Sequence, residues 1–193
     1  MKIEVGLNKQ SIKNAIKQLN AIKKTVPKMQ QEFLVEVAHW ITDRANDYIT
    51  NSDLGSLVKD QIQRSWSYEP STNGVKIINR AEKAVYVEFG VGIVGGGQPH
   101  PQASTEGYQY NMKSRAKFGG GFWSFRGQME TLDLPQDSVD YAGSDDELVF
   151  LTQGAKGIWY AYNAIVDAQM ELAKPNGGAI GKLWNDVKKR YIK

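Results

Sequence analysis

At 193 residues the chain is long enough to bury a full hydrophobic core, and we expect a single domain over residues 1–193. Apolar residues make up 41% of the sequence and charged residues 23%, which is typical of a globular protein and excludes a disordered or fibrous one. The lack of cysteine excludes disulfides, thiolate nucleophiles and zinc–sulfur sites, and two separate histidines favour no metal site.

The charge is unevenly distributed along the chain. The formal net charge is only +3, yet residues 126–147 contain seven acidic residues and one basic residue. The acids of this stretch, called here the acidic segment, are Glu130, Asp133, Asp137, Asp140, Asp145, Asp146 and Glu147. The rest of the chain carries 23 basic and 14 acidic residues. The sequence therefore predicts an acidic interaction arm on a basic body.

Two long helices are predicted at the amino-terminal end. Ile12, Ala15, Ile16, Leu19 and Ile22 recur at helical spacing, which indicates an amphipathic first helix. Pro27 suits the first turn of a second helix. That helix has its own stripe, formed by Phe33, Val37, Trp40, Arg44 and Tyr48. The loop at 51–55 ends it.

Strand patterns follow. Residues Gln61 to Tyr68 alternate with a period of two, and Pro70 to Gly74 make a turn before a returning strand over Val75–Asn79. The apolar run Val85–Phe89 predicts a further short strand ending at Gly90. Residues 92–121 are rich in glycine, proline and polar residues and predict a long loop.

The last third returns to helices. Residues 122–125 and 148–151 are predicted to pair as a hairpin whose enlarged tip is the acidic insertion 126–147. A helix is expected over Ile158–Lys174, halted at Pro175, and a terminal helix follows from Ile180 to Tyr191. We therefore expect an α+β fold, with an antiparallel sheet with extended hairpin loops packed against two long amino-terminal helices and the carboxyl-terminal helices.

A glycine motif is the main hint of a cofactor. Gly90 to Gly95 read G-x-G-x-x-G directly after the predicted strand, as in a dinucleotide-binding fingerprint. Two prolines, Pro99 and Pro101, follow closely and oppose the helix that would hold a pyrophosphate. Arg115 stands where an acid would bind the ribose. We expect a glycine turn and no cofactor, with a nucleotide-binding enzyme as an alternative.

The sequence offers no catalytic constellation, and no stretch is apolar enough for a membrane helix or a signal peptide. We therefore expect a non-enzymatic protein that is made in a cytoplasm and has no membrane contact. The lysines of the first helix and the basic run 188–190 are typical of solvated faces. DNA contact stays open as a rival interpretation.

One block of the chain resembles the gene-ten-like neck or tail-completion proteins of siphophages. In that family an alanine and a tyrosine precede a Val-Glu-Phe-Gly-Thr-Gly block, and the run from Ala84 to Gly92 resembles this pattern, with matches at Tyr86, Val87, Glu88, Phe89, Gly90 and Gly92. Its Pro-His-Pro segment resembles Pro99, His100 and Pro101, and its Gly-Tyr-x-Tyr segment resembles Gly107, Tyr108 and Tyr110. Val91 departs from the family's threonine, and Ile158-Trp159 departs from its common Arg-Pro pair.

The resemblance implies a structural role in a virion. Such proteins oligomerise into rings, commonly hexamers, between the head connector or stopper proteins and the tail tube. The expectation for this chain is a neck subunit, assembled in the bacterial cytoplasm, that completes or terminates the tail tube and joins tail to head. Passing contact with genome DNA in the channel is an open alternative. The resemblance suggests that the motif residues serve packing or subunit contacts.

Overall fold

The computed structural model describes residues 9–71, 74–110, 123–126, 139–141, 149–152 and 154–191, and its architecture is α+β as expected. The helices are α1 (Lys9–Thr50), α2 (Ser56–Gln63), α3 (Ala84–Phe89), α4 (Gly92–Gly97), α5 (Tyr160–Ala173) and α6 (Gly178–Tyr191). The strands are β1 (Trp66–Ser71), β2 (Gly74–Asn79), β3 (Gly90–Val91), β4 (Trp123–Arg126), β5 (Val139–Tyr141), β6 (Val149–Thr152) and β7 (Gly154–Lys156). A 3-10 turn at Pro175–Gly177 separates α5 from α6.

The two helices predicted on either side of Pro27 are one helix of 42 residues. The prediction of a break was wrong because the fixed φ of proline is compatible with a helix, at the cost of one N–H donor. The most buried residues in the second half of α1 are also not those of the predicted stripe. They form a neighbouring stripe of mostly small side chains: Ala38, Thr42, Ala45 and Ile49. The predicted stripe from Phe33 to Tyr48 is half-buried beside it, with Arg44 exposed.

The first predicted hairpin is present as the antiparallel pair β1 and β2. Its first strand begins later than the alternating pattern suggests, because Gln61–Gln63 end α2. Val58 and Ile62 are buried one turn apart, and this helical packing overrides the period-two pattern. The indole Nε1 of Trp66 donates to Asn46 Oδ1 at 2.9 Å, which ties the start of β1 to the end of α1.

Strands β4 and β6 pair antiparallel, as expected for the second pair of strands. The acidic segment is not a simple tip, however, because β5 lies within it and pairs antiparallel with the other edge of β6. Val139 and Tyr141 have the side-chain types that favour strands. Asp140 lies in β5, and the other six acids of the segment lie outside the described residues.

The predicted loop 92–121 begins with the six-residue helix α4 and continues through turns over residues 101–107. The helix ends at Gly97, and Gln98 has left the helical conformation with φ −134° and ψ 74°. A residue before proline is driven out of the helical region, so Pro99 accounts for this end. Residues 111–121 lie outside the described part of the chain.

The chain forms two compact units, each drawn from separate stretches. The first comprises residues 1–41, 68–77 and 166–193. In it Phe33 and Trp184 pack edge-to-face with centroids 5.3 Å apart, and Arg190 forms ion pairs with Glu32 and Glu36. The predicted terminal helix is present as α6, and its Ile180 and Val187 are fully buried.

The second unit comprises residues 42–67 and 78–165. Its core contains a set of buried apolar side chains, namely Ala45, Ile49, Val58, Ile62, Ala84, Val87, Ala103, Tyr160 and Ala164. Among the described residues of this unit, the buried polar side chains are Thr42, Glu88 and His100. Two of these three, Glu88 and His100, belong to the segments in which the sequence resembles a known family, and they form the centre of the candidate site.

Candidate functional site

The segment Ala84–Phe89, predicted as a strand, is helix α3. A short apolar run is compatible with either structure, and here the buried residues decide: Ala84, Val87 and Glu88 lie three and four positions apart. Gly90 follows with φ 79°, a conformation that glycine adopts without strain. Glycine therefore lets the chain turn from α3 into β3, as expected for this position.

Glu88 is the buried centre of the site. Its Oε1 accepts hydrogen bonds from the Nε2 of His100 at 3.0 Å and from the backbone N–H of Tyr162 at 3.0 Å. Its Oε2 accepts from the backbone N–H of Ala161 at 2.8 Å. The two backbone groups belong to the first turn of α5, whose N–H groups have no partner within the helix. Glu88 therefore caps α5 through its side chain, and the helix dipole favours its negative charge.

The hydrogen bonds of His100 define its tautomer. The backbone N–H of Gln102 donates to His100 Nδ1 at 3.0 Å, so Nδ1 carries no proton in this arrangement. The ring proton is then on Nε2, which donates to Glu88. Both ring nitrogens and both carboxylate oxygens are engaged, and His100 is 4% exposed. The pair acts as a structural anchor between the segment at 100–102 and α3.

Aromatic rings surround this anchor. Phe89 packs on His100 with centroids 4.4 Å apart and stacks on Tyr108 at 4.7 Å. Trp159 and Tyr162 approach the imidazole edge-on at 5.8 and 5.2 Å. Rings in these arrangements gain free energy beyond that of the area they bury. Phe89, the last residue of α3, is half-buried in this cluster.

Tyrosine hydroxyls complete the network. Tyr108 donates to the carbonyl of Gly90 at 2.6 Å, and Tyr110 donates to that of Phe89 at 3.0 Å and accepts from the N–H of His100 at 2.7 Å. Tyr160 donates to the carbonyl of Ala84 at 3.3 Å. Burial, and secondarily the charge of Glu88, raises the pKa of Tyr160, which keeps its hydroxyl protonated as a donor.

The chain approaches α3 very closely at Gly157. A Cβ at this position would fall within 3.0 Å of backbone atoms of Glu88, Phe89 and Gly90. The adjacent N–H groups of Ile158 and Trp159 donate to the carbonyls of Val87 and Glu88, at 2.9 and 3.2 Å. Glycine is thus required for the backbone of the segment before α5 to lie against α3.

Trp159 departs from an ordinary conformation. Its φ is 54°, a strained value for an aromatic residue, and its indole Nε1 is buried with no hydrogen-bond partner in the described part of the chain. This residue precedes α5 and stands where the resembled family commonly has an Arg-Pro pair. The sequence departs from the family pattern here, and the local geometry is strained at the same place.

The opposite face of α3 is exposed and partly apolar. Val85 and Tyr86 are 51% and 55% exposed, although both are large and belong to the block that resembles the phage family. The other motif residues differ in exposure: Gly90 is buried, whereas Pro99 and Pro101 are exposed. Gly92 is the first residue of α4. The motif therefore combines a buried anchor with an exposed apolar pair.

The glycine motif does not have the geometry of a dinucleotide site. The sequence suggested that prolines would prevent a helix, yet α4 forms and contains Gly95, which corrects that expectation. The strand before it, β3, has only two residues and pairs antiparallel with β7. A dinucleotide fingerprint needs a parallel βαβ unit and a longer helix. The antiparallel ladder and the short helix therefore oppose the nucleotide interpretation.

The basic run near the end of the chain is largely paired. Lys189 lies 2.9 Å from Asp186, and Arg190 contacts both Glu32 and Glu36. These ion pairs are exposed and contribute little to stability, but they lower the local positive charge available to a phosphate backbone.

In the described ranges no group of three His, Asp or Glu side chains is suited to a metal ion.

The resemblance named Glu88 and His100 but gave no sign that they contact each other across 12 residues. The sequence missed the backbone groups of Ala161 and Tyr162, which lie more than 70 residues beyond Glu88. The available signal was an acid inside an apolar run together with a histidine between prolines.

None of the helices in the described ranges has both the length and the apolar character needed to cross a bilayer.

Comparison with known proteins gives no relative: no family model, no curated protein and no solved structure matches this chain. The phage resemblance thus depends on the quoted residues alone. The structure does bring those residues together, because the Val-Glu-Phe-Gly, Pro-His-Pro and Gly-Tyr-x-Tyr segments all contribute to the Glu88 network. That these segments meet describes how the chain packs, and membership of the phage family stays a prediction.

Proposed function

We propose that this chain is a structural subunit of the neck of a tailed bacteriophage, which completes or terminates the tail tube and joins tail to head as a ring oligomer. The proposal is supported by the residue pattern that resembles the gene-ten-like family. The observation that carries it is the division of α3 into two faces. One face is fixed by Glu88 and His100, and the other leaves Val85 and Tyr86 exposed.

This division suits an assembly protein. The ionisable groups of the motif are engaged in positioning backbone segments, so the motif is explained as a scaffold. The rigid scaffold then presents an apolar pair in a fixed orientation, and aromatic residues such as Tyr86 are enriched in the centres of subunit interfaces. In a ring of identical subunits this pair would contact a different surface of the neighbouring copy.

The role in the particle is tested by deleting the gene for this chain from the phage genome. We expect lysates with DNA-filled heads and separate tails, because the proposed function is at their junction. Electron microscopy of the lysate and complementation by the wild-type gene on a plasmid provide the measurement and its control. Joined virions at normal numbers in the deletion phage would refute the proposal.

The exposed pair is tested with Tyr86→Glu, which places a charge in the proposed contact. Gln98→Glu adds the same charge at another exposed position and serves as the matched control. We expect Tyr86→Glu to weaken association by about tenfold or more, roughly 1.4 kcal/mol, while the control retains the wild-type mass in native mass spectrometry. Equal masses for both variants would exclude Tyr86 from the contact.

A further inference from the structure

The first half of α1 exposes an apolar stripe. Ile12, Ile16, Leu19 and Val26 are 46%, 53%, 54% and 39% exposed. Their spacings of four, three and seven residues place them on one side of the helix. A surface helix normally directs such a stripe toward a core, and a contiguous apolar patch in solvent marks an interaction site.

This stripe is one edge of a heptad pattern. With Ile12 taken as position a, apolar residues fill every a and d position through three heptads: Ile12, Ala15, Leu19, Ile22, Val26, Met29 and Phe33. The chain itself buries Ala15 and Met29 at d positions, whereas the a positions as far as Val26 are exposed. Sustained heptads are the pattern by which helices pack knobs into holes. The open edge therefore fits another helix.

The distribution of charge favours a second copy of this chain as that partner. The lysines of this part of α1 lie mainly on another face, at Lys13, Lys17, Lys24 and Lys28. The e and g positions beside the seam, from residue 11 to residue 30, are Ser11, Ile16, Gln18, Lys23, Thr25 and Gln30. Of these six residues, Lys23 alone is charged. Two identical seams would therefore meet with little repulsion, whereas a polyanion would be drawn to the lysine face.

Pro27 does not interrupt this seam. It occupies position b of the heptad, on the outer side of the helix, and α1 continues through it. Thr25 Oγ1 donates to the carbonyl of Ala21 at 2.9 Å just before it, so this polar side chain is satisfied within the helix. The apolar positions on both sides of Pro27 remain in register.

We propose that residues 9–26 of α1 form an inter-subunit seam, packing parallel and in register against the same segment of another copy through Ile12, Leu19 and Val26. A parallel arrangement is compatible with cyclic symmetry when the seam lies along the rotation axis, where each residue faces the same residue of the next copy. The orientation rests on the ring of the proposed function, but it does not depend on where in a virion that ring lies.

Single cysteines test the seam in the 193-residue chain, which has no cysteine of its own. In a parallel seam each a residue meets its counterpart at a distance that a disulfide can bridge. We expect Leu19→Cys, Ile12→Cys and Val26→Cys each to give covalent dimers on mild oxidation. Lys17→Cys, on the lysine face, is the matched control and should stay monomeric on a denaturing gel over the same time.

Charge substitution provides the second measurement. The double variant Ile16→Glu/Leu19→Glu should lower the association constant by at least about tenfold in sedimentation experiments, whereas Lys17→Glu/Asn20→Glu should not. Helix content should be unchanged in both, because these side chains are exposed in the single chain. Loss of the fold in the first variant alone would show that the stripe is covered by its own chain, which overturns the seam.

The outcomes separate the seam from the proposed function. An oligomeric wild-type chain in which Leu19→Cys dimerises no faster than Lys17→Cys overturns the seam and leaves the ring standing. A wild-type chain that remains monomeric at tens of micromolar overturns both the seam and the ring. Joined virions in the lysate of the deletion phage would overturn the neck role. Cross-linking at Leu19 would still establish the seam in that case.

Discussion

At the scale of single residues, Glu88 links three separate segments of the second unit. One buried carboxylate receives three N–H donors, from a histidine 12 residues away and from two backbone groups at the start of α5. Hydrogen bonds to a charged acceptor are stronger than neutral ones, and the start of a helix stabilises a negative charge. These contacts offset the cost of removing the carboxylate from water.

Glu88→Gln is therefore expected to destabilise the protein by about 1–3 kcal/mol, because the amide has one acceptor oxygen and its NH2 group would face an N–H donor. The measurement is the midpoint of urea unfolding followed by circular dichroism. Glu82→Gln, an exposed position just before α3, is the matched control and should be nearly neutral. Equal midpoints for the two variants would mean that Glu88 does not anchor the site.

The residue scale is also where prediction from the sequence reached its limit. The importance of Glu88, His100 and Tyr86 could be anticipated from a resemblance, but their roles could not. The partners of Glu88 are backbone groups of α5, and no pattern in side-chain type reveals which N–H groups a fold leaves unsatisfied. Val85 and Tyr86 lie on the exposed face of the segment, and Val87 and Glu88 lie on its buried face. This assignment of faces could be made only once the segment was known to be a helix.

At the scale of elements, the corner between α5 and α6 shows how a helix start is stabilised by a side chain from the preceding helix. Glu171 Oε2 accepts from the backbone N–H of Ala179 at 2.8 Å, and Glu171 also pairs with Lys174. Gly178 has φ 55°, which lets the chain reverse before α6. The hydrogen bond from Ala179, followed by that from Lys174, lowers the pKa of Glu171.

This lowered pKa predicts a pH dependence. A carboxyl that is more acidic in the folded state contributes stability that is present above its ordinary pKa of 4.5 and is lost as the pH falls through the folded value. We expect Glu171→Gln to reduce stability near neutral pH and to flatten its decline below pH 4.5. Urea unfolding between neutral and acidic pH is the measurement, with Glu106→Gln as an exposed control. Parallel pH profiles for wild type and Glu171→Gln would refute the assignment.

Elements with strong boundary signals were predictable. The ends of α5 and α6 follow from Pro175 and the glycines after it, and these helices are present where expected. Short apolar runs were not predictable, since Val85–Phe89 has too few residues for its period to separate strand from helix. Pro27 was overweighted as a helix breaker, and β5 was missed because three residues among acids give almost no strand signal.

At the scale of the whole molecule, the described surface offers exposed apolar residues in each unit. The first unit exposes the stripe on α1, and the second exposes Val85 and Tyr86. A monomer that keeps such residues in solvent risks nonspecific association, whereas a subunit of an assembly uses them. In an assembly of the proposed kind, the strongly uneven charge of the sequence would add a long-range attraction between copies, since an acidic segment and a basic body are complementary.

The acidic segment can be tested without removing β5. Replacing Glu130, Asp133 and Asp137 by Gln, Asn and Asn removes three charges and leaves Val139–Tyr141 intact. If the segment is an interaction arm, this variant should keep the unfolding temperature of the wild type but associate more weakly, and the difference should shrink as salt is added because screening weakens the attraction. Sedimentation at low and high salt measures both effects.

A control variant with the same loss of charge makes the result specific. Asp53→Asn, Glu82→Gln and Glu106→Gln change three exposed acids of the basic body, so a general effect of net charge would appear equally in this variant. Weaker association in the first variant alone, and only at low salt, supports the arm. Unchanged association combined with altered DNA retention in the particle would place the acids along the DNA path, since a negative lining repels the genome.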